Sequence, residues 1–579
     1  MVAHFKDHYD VVICGGGPVG LLTAYGLQRM GIDTCVIERL EKDKLPMYGR
    51  ACTVFPRTLE MLDQYDLLTH LSQVGFVSRS GVNYDKNGKR DNTRGMRHVF
   101  DAMQGHTFLD YMLNIRLKYT EDIIKAQYEK LGGLVAGGWE VVGLDTQIDS
   151  PVKVEVKNVN TAETRTLAGE YLVGADGGRS TVRHFSGISS TTDSTTLRWM
   201  RIDGVVETDM PDSREGFANL ESPTHGNVLW AALDHGRTRV GFALSRAMME
   251  RYGENMTQEQ AVEEAKLALK PFSLEFTCVD WYTVYNVRHS LAETFVKDRI
   301  LLAGDACHSH SSGTAQGMNT GVHDTVNLTW KLAGVLKGWY RAETVLATYT
   351  RERRPVAQHL IDLDKTFSAL ISGTVPPELR TAAASSTPPD PGALFAKMLE
   401  DNVQFNIGFG IRYGENALNV PTKAGTVPCG WRAPDVLVHG PGAKIPTRLH
   451  TVLKNVGVFS VVVFAGDPLR TADGVRRLRE YLDGDNVNNS TKTHLDHETI
   501  RLVTVIAGNK PQADEALGVA RFGDAYYDHD AGAHARYGAS VERGAVVVVR
   551  PDGIVGFATT LDDAGGADLG AYFARFLLV

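Results

Sequence analysis

The feature that most constrains this chain is a run of glycines set between two patterns of apolar residues. Residues 9–14, Tyr-Asp-Val-Val-Ile-Cys, form a short apolar run rich in β-branched side chains, as a buried strand requires. Gly15-Gly16-Gly17-Pro18-Val19-Gly20 breaks that run and fits the spacing G-x-G-x-x-G. From Pro18 onward apolar residues recur at helical spacing and stop at Gly31, and Asp33 to Glu38 reads as a second strand. Strand, glycine turn, helix and strand in about thirty residues make a βαβ unit. The first glycine permits the tight turn, the second lets backbone approach a pyrophosphate, and the third lets the helix lie close to the strand. The helix N-terminus offers free N–H groups and the positive end of its dipole to phosphates. Glu38 ends the second strand, where a carboxylate can accept hydrogen bonds from both ribose hydroxyls. A dinucleotide is the expected ligand. No second fingerprint follows, which favours FAD over NAD as the resident cofactor.

With 579 residues the chain is too long for one core, and roughly two to four domains are expected. A net charge of −8 without a basic stripe argues against a nucleic-acid partner. The densest basic run, Arg-Glu-Arg-Arg at 351–354, sits in a charge-mixed helical stretch and reads as a solvated helix face. The six cysteines include no CxxC pair and no metal-ligand spacing, which points to a reducing compartment without disulfides or zinc. Residues 1–10 are polar and the next apolar run is too short for a signal or a membrane helix, so a cytoplasmic enzyme with no membrane contact is expected.

Further along, 57–74 and 119–131 read as helices, and 164–178 as a strand pair ending in a glycine turn. Short strands from about 195 to 245 suggest an inserted antiparallel sheet. A strand at 299–305 precedes a helix from about Met318 to Leu336, and 340–371 is charged and helical. The expected division is an FAD-binding domain of residues 1–190 and 286–380, and a substrate-binding domain of 191–285 with part of 75–112. A helical and loop connector of 381–424 and a final α/β domain of 425–579 complete it. That last segment has a strand at 458–466 and a late hairpin turned by Pro551-Asp552-Gly553.

Two later segments bear on chemistry. Gly174-Ala175-Asp176-Gly177-Gly178-Arg179-Ser180 follows a strand, and by itself reads first as an ordinary Asp-Gly turn capping a helix at Ser180. Gly304-Asp305 ends another strand, where a carboxylate can accept from a polyol hydroxyl. Gln316-Gly317-Met318-Asn319 then leads into a helix whose N–H groups can stabilise the negative charge of a reduced flavin.

Together the three segments resemble the nucleotide-binding, DG and GD motifs of single-component, class A FAD-dependent aromatic hydroxylases. The stretches 280–311, 316–336 and 544–553 are most similar to the fungal phenol hydroxylase (phenol 2-monooxygenase) family, and the likeness covers nearly the whole chain. It implies an α/β fold: a Rossmann-like FAD domain, an inserted antiparallel-sheet substrate domain, and a C-terminal thioredoxin-like domain lacking CxxC. It places Gly15, Gly17, Pro18, Val19, Gly20, Glu38 and Arg39 on the AMP half of FAD, and Gly49, Arg50 and Ala51 near the isoalloxazine. Asn114 and Arg116 would lie near the ribityl and diphosphate, and Asp305 on the ribityl chain. Ala315, Gln316, Gly317, Met318 and Asn319 would border the ring, and Asp176, Gly177 and Arg183 form the DG motif. The resemblance further implies NAD(P)H as reductant, O₂ as oxidant, a flavin C4a-hydroperoxide that hydroxylates a small aromatic substrate, and a homodimer. Epoxidation, dearomatising or Baeyer–Villiger oxygenation with the same cofactor stays open, as does a non-catalytic flavin scaffold.

The substrate half departs from the family. Cys52 stands where phenol hydroxylase has an acid, Gly241 where it has the tyrosine of Arg-x-Tyr, and Ser312 where it has a proline. These changes suggest a roomier pocket for a substrate larger than phenol, such as a polyketide-derived phenol. Arg239 is the candidate for favouring a phenolate or carboxylate; the alternative is an arginine paired to a structural carboxylate or a flavin-loop carbonyl. Cys52 reads as a packing residue of the pocket rather than a nucleophile. His225, Trp230 and Tyr282 are further pocket candidates, and His308 and His310 read as loop packing.

Overall fold

Val11, Val12 and Ile13 of the strand His8–Cys14 are fully buried, as expected of a parallel strand covered on both faces. The computed structural model describes residues 4–91, 95–147, 150–253, 255–311, 313–381, 390–440, 445–482, 498–508, 523–561 and 565–578. Its contacts form two units: Met1–Gln28, Asp33–Thr325 and Pro355–Gly410 make one, and Arg29–Ile32, Val326–Arg354 and Ile411–Val579 make the other.

In the first unit, His8–Cys14 is central to a sheet. On one side lie Thr34–Glu38 and Leu134–Gly137, and on the other Thr164–Gly174 and Ile300–Leu302, all parallel. The register sets Cys14 beside Gly174 and Gly174 beside Leu302. Strand order reverses about His8–Cys14, so a crevice opens at the carboxyl ends of these strands. Residues 164–174, read as a strand pair, are one strand serving two partners. Its first part pairs antiparallel with Val152–Asn158 and its last part parallel with His8–Cys14. The expected helix 57–74 is two helices, Pro56–Gln64 and Leu68–Ser72. Asp66 interrupts it at φ 59°, a left-handed conformation that aspartate tolerates and that apolar spacing does not register.

A second sheet of the same unit runs in the order His308–Ser309, Glu275–Ala292, Ser190–Glu207, Thr238–Ala243, Gly226–Ala232, Gly216–Ser222, Ser80–Tyr84 and Arg90–Asp91. Side chains alternate across it. Met200, Ile202, Val240 and Phe242 point to a core shared with Ala261, Ala265 and Ala268 of the helix Gln258–Ala268. Trp199, Arg201 and Asp203 therefore share the opposite face with Arg239, Gly241 and Ala243. The register sets Asp203 against Arg239, Arg201 against Gly241 and Trp199 against Ala243.

The second unit is built on a seven-stranded sheet centred on Phe459–Gly466. Ile500–Ala507 lies parallel on one side, and Ala545–Val549 with Val555–Thr559 forms an antiparallel hairpin on the other. With the helices Pro468–Leu482 and Gly565–Phe573, this is a thioredoxin-like arrangement. The run 351–354 is not a solvated face: Glu352 and Arg353 are buried, although Arg351 is exposed. Glu352 accepts from Arg550 at 2.6 and 2.9 Å, Lys331 at 2.8 Å, Asn327 at 2.8 Å and Asn419 at 2.8 Å. The partners come from distant segments, so local charge pattern could not reveal them. Burial alone would push the Glu352 carboxyl up, but Arg550 and Lys331 outweigh it and hold the group well below the usual carboxylate range. Burial pushes the Lys331 ammonium down to about 8 against the pull of Glu352.

A carboxylate held low stabilises the fold above its unfolded value and loses that contribution as pH falls toward its folded value. Denaturation of Glu352→Gln should show a loss on the order of 3–5 kcal/mol at neutral pH. It should also show a flatter decline than wild type below about pH 4.3, the unfolded value of a glutamate.

Candidate active site

Backbone hydrogen bonds join the three strand ends. Gly15 N–H donates to Ile37 at 2.8 Å, Ala175 N–H to Cys14 at 2.7 Å and Ala303 N–H to Gly174 at 2.9 Å. The turns after Cys14, Gly174 and Leu302 are thereby set side by side. Gly15 has φ 107°, and a Cβ there would lie 2.3 Å from the Ala175 oxygen. A Cβ on Gly20 would lie 1.9 Å from the Gly15 oxygen. Those two glycines are required by the protein's own packing. A Cβ on Gly17 would meet nothing nearer than Glu121 at 4.0 Å, and Gly17 lines a cavity. The open space where that glycine lacks a side chain fits the approach of a pyrophosphate.

Glu38 accepts from Gly16 N–H at 2.7 Å and Leu40 N–H at 2.8 Å, which leaves lone pairs for a ribose. Arg39 is exposed beside it. Asp176 caps the short helix Thr181–Phe185, accepting from Thr181 N–H at 2.6 Å and Val182 N–H at 3.1 Å. Its other oxygen is buried with no partner. Arg183 donates to Gly178 at 3.0 Å and Ala306 at 2.6 Å, tying the second turn to the third. Burial, with Asp176 and Glu38 nearby, pushes the Cys14 thiol well above its ordinary range, so Cys14 is an inert floor to the cradle.

The cavity, about 400 Å³, starts at Gly17, Pro18 and Val19 and passes Gly177 and Asp305. It continues along Arg50, Cys52, Ala315, Gly317 and Met318 to the polar face of the second sheet at Arg201, Arg239 and Gly241. Its volume is within the range of small-ligand sites. The Asp305 carboxylate borders it and makes no hydrogen bond among the described residues, a free acceptor for a polyol. Gln316 and Asn319 act on the wall. Gln316 donates to Asn406 at 2.6 Å, and Asn319 accepts from Phe55 N–H at 3.0 Å and donates to Thr53 at 2.9 Å. What the helix Gln316–Leu336 turns toward the cavity at Gly317 and Met318 is its N-terminal end.

Asn114 and Arg116 are not among the residues that line this cavity. Asn114 bonds Thr53 at 3.1 Å and the Ala232 oxygen at 3.0 Å. Arg116 is held between Asp234 at 2.8 Å and Asp280 at 2.5 Å. Arg239 lines the cavity, but Asp203 takes its guanidinium at 2.6 and 2.7 Å and it also donates to the Arg50 and Gly49 oxygens. Of the two readings of Arg239, these contacts match the arginine paired to a structural carboxylate and loop carbonyls. Burial alone would lower its pKa; Asp203 outweighs burial and raises it. Cys52 lies buried on the cavity wall, its Sγ 3.6 Å from the Thr53 hydroxyl.

The room expected at Gly241 is filled. A Cβ there would lie 2.4 Å from Cδ and 2.6 Å from Nη1 of Arg201, a residue the sequence reading passed over. Only strand alternation combined with the register to Thr238–Ala243 would have found it. Trp230, His225 and Tyr282 face away: Trp230 is in the sheet's core, Tyr282 packs against that core, and His225 bonds Glu264 at 2.9 Å. His308 bonds Asp324 at 2.7 Å, His310 reaches the cavity, and Ser312 lies outside the described residues.

A phosphate cradle at a strand switch point, open to a cavity walled by a second sheet, defines a flavin-binding protein. The family described as FAD binding domain matches residues 8–364, and the one described as phenol hydroxylase, C-terminal dimerisation domain, matches 411–579. The chain belongs to the first family, carries the second domain, and is an FAD-dependent monooxygenase. It is 28% identical to the FAD-dependent monooxygenase ankC of Aspergillus thermomutatus over 96% of both chains. It is 31% identical to 6-methylpretetramide 4-monooxygenase of Streptomyces rimosus over 72% of each. Its fold matches that of aklavinone-11 hydroxylase, solved with FAD and aklavinone, with a TM-score of 0.73 at 21% identity over 99% of both chains. Among the described residues no helix is long and apolar enough to cross a membrane.

The two glycines should separate by experiment. Gly17→Ala should keep the unfolding temperature of the flavin-free protein while FAD affinity falls at least about tenfold, the cost of a misplaced contact of ~1.4 kcal/mol. Gly20→Ala should lower stability as well, because its Cβ has no room. Flavin absorbance after gel filtration and thermal melts of the stripped proteins measure both.

Proposed function

We propose that the protein hydroxylates a phenolic, fused-ring aromatic substrate, using NAD(P)H as reductant and O₂ as oxidant. The observation that carries this reading is the single cavity running from the glycine cradle and Asp305 to the polar face of the second sheet. Bound FAD supplies the oxygen-transfer chemistry. The chain's own residues hold and enclose it. Gly15 and Gly20 shape the turn, Gly17 admits the pyrophosphate, Glu38 takes the ribose and Asp305 the polyol. The amino end of the helix Gln316–Leu336 favours negative charge on the ring edge. Phe55, Met96, Met112, Phe217 and Leu229 give the remaining wall an apolar lining, which keeps water from the reacting centre.

On this reading residues 1–190 and 286–380 serve FAD, 191–285 with part of 75–112 serve the substrate, 381–424 connects, and 425–579 mediates a homodimer. A substrate larger than phenol is supported by relatives named for 6-methylpretetramide and aklavinone. Cys52 contributes shape to the pocket, and Arg239 shapes the loop at Gly49 and Arg50.

The purified protein should be yellow, bleach with NADH or NADPH, and consume O₂ faster when a fused-ring phenol is added. The kcat/KM for a naphthol or anthrol should exceed that for phenol by at least about tenfold, the scale of a filled against an unfilled apolar pocket. Equal turnover of phenol would overturn the size argument, and a yellow protein that no nicotinamide reduces would overturn the hydroxylase reading.

A further inference from the structure

The sheet face bordering the cavity carries an uneven set of charges. Asp203 is spent on Arg239, which holds both of its oxygens at 2.6 and 2.7 Å. Arg201, one register position along, is 6% exposed and lines the same cavity. Its hydrogen bond among the described residues goes from Nη1 to the carbonyl of Met200, at 2.9 Å. The guanidinium lies 5.2 Å from the Trp199 ring centre, and no carboxylate forms an ion pair with it among the described residues. The titratable and charged groups around it are Tyr285, Arg239, Cys52 and Asp203. Burial lowers its pKa, where the Asp203 pairing raises that of Arg239.

A buried cation without its own anion is costly unless something else supplies the charge. Of the carboxylates on this face, Asp203 is taken by Arg239, and Glu221, three strands away, forms no ion pair with Arg201 among the described residues, so the Arg201 charge borders the cavity without an anion of its own. Its remaining N–H groups form a planar fork suited to an oxygen anion. Arg201 is buried, so an anion beside it would be attracted more strongly than in water. Gly241 is what lets Arg201 take this path, because any Cβ at 241 would collide with its Cδ and Nη1.

We infer that Arg201 is the anion-recognition group of the substrate pocket, binding the phenolate or conjugated enolate oxygen of the aromatic substrate. This rests on the proposed hydroxylase reading. A phenol taken up there gives its proton to solvent, and the anion that remains is the form with electron density on the ring carbons. No bond to the protein forms. Arg201 and Gly241 act as a pair: the glycine makes the space, and the arginine fills it with charge.

The test uses the FAD-loaded enzyme with 1-naphthol and its methyl ether, 1-methoxynaphthalene, as probes. Binding is followed by calorimetry, and proton release is read in weakly buffered solution. Wild type should prefer the naphthol by about tenfold to a hundredfold, the range of one charge-assisted hydrogen bond, and release a proton as it binds. Arg201→Met should lose both the preference and the proton release while retaining FAD. Arg201→Lys should recover part of each. Gly241→Ala, which keeps the charge but displaces the side chain, should behave like Arg201→Met. A preference that survives in Arg201→Met and Gly241→Ala overturns the inference and leaves the hydroxylase reading standing. Wild-type enzyme that binds neither probe overturns the aromatic-substrate reading, and this inference with it.

Discussion

The functional architecture hangs on backbone hydrogen bonds between neighbouring strand ends. Because Cys14, Gly174 and Leu302 are in register, Ala175 can donate to Cys14 and Ala303 to Gly174. A slip of one residue would turn every side chain of a strand to the other face and carry Asp176 or Asp305 away from the cradle. Register is strongly specified here, since Val11, Val12, Ile13, Leu172, Val173, Leu301 and Leu302 are all buried. Core packing and cofactor geometry are thus one constraint: the side chains that stabilise the sheet also align three turns separated by more than a hundred residues of chain.

The second sheet meets a different demand. Its far face is an ordinary apolar core, whereas its near face carries Trp199, Arg201, Asp203 and Arg239 in a largely buried setting. The Asp203–Arg239 pair neutralises itself and also grips the oxygens of Gly49 and Arg50, so it fixes the loop between cradle and pocket. Arg201 has no such duty. The cross-strand neighbours Arg239 and Arg201 look alike in sequence and both border the cavity, yet one is committed to a carboxylate and two loop carbonyls and the other forms no ion pair among the described residues.

How much of this was legible depended on the range of the interaction. The βαβ unit is local, and its glycines, helix and Glu38 could all be read from thirty-odd residues. Asp176 and Asp305 could be read because each ends a strand with its own turn signature, although their proximity required the fold. The break at Asp66 was invisible because apolar spacing continues across it. Arg239 was left ambiguous and Glu352 misread for one reason: each is defined by a carboxylate or cation far away in sequence. Arg201 was overlooked because its importance comes from what stands opposite it, Gly241, and a missing side chain leaves no mark of the group that occupies its space.

The buried cluster around Glu352 has a consequence for how the chain is made. Glu352 meets Arg550 across 198 positions, and Asp552 joins the same cluster. A nascent chain emerges amino end first. Until residue 550 has been made, Glu352 and Lys331 therefore lack the arginine that balances them. Closure of this cluster has to follow synthesis of the hairpin that carries Arg550.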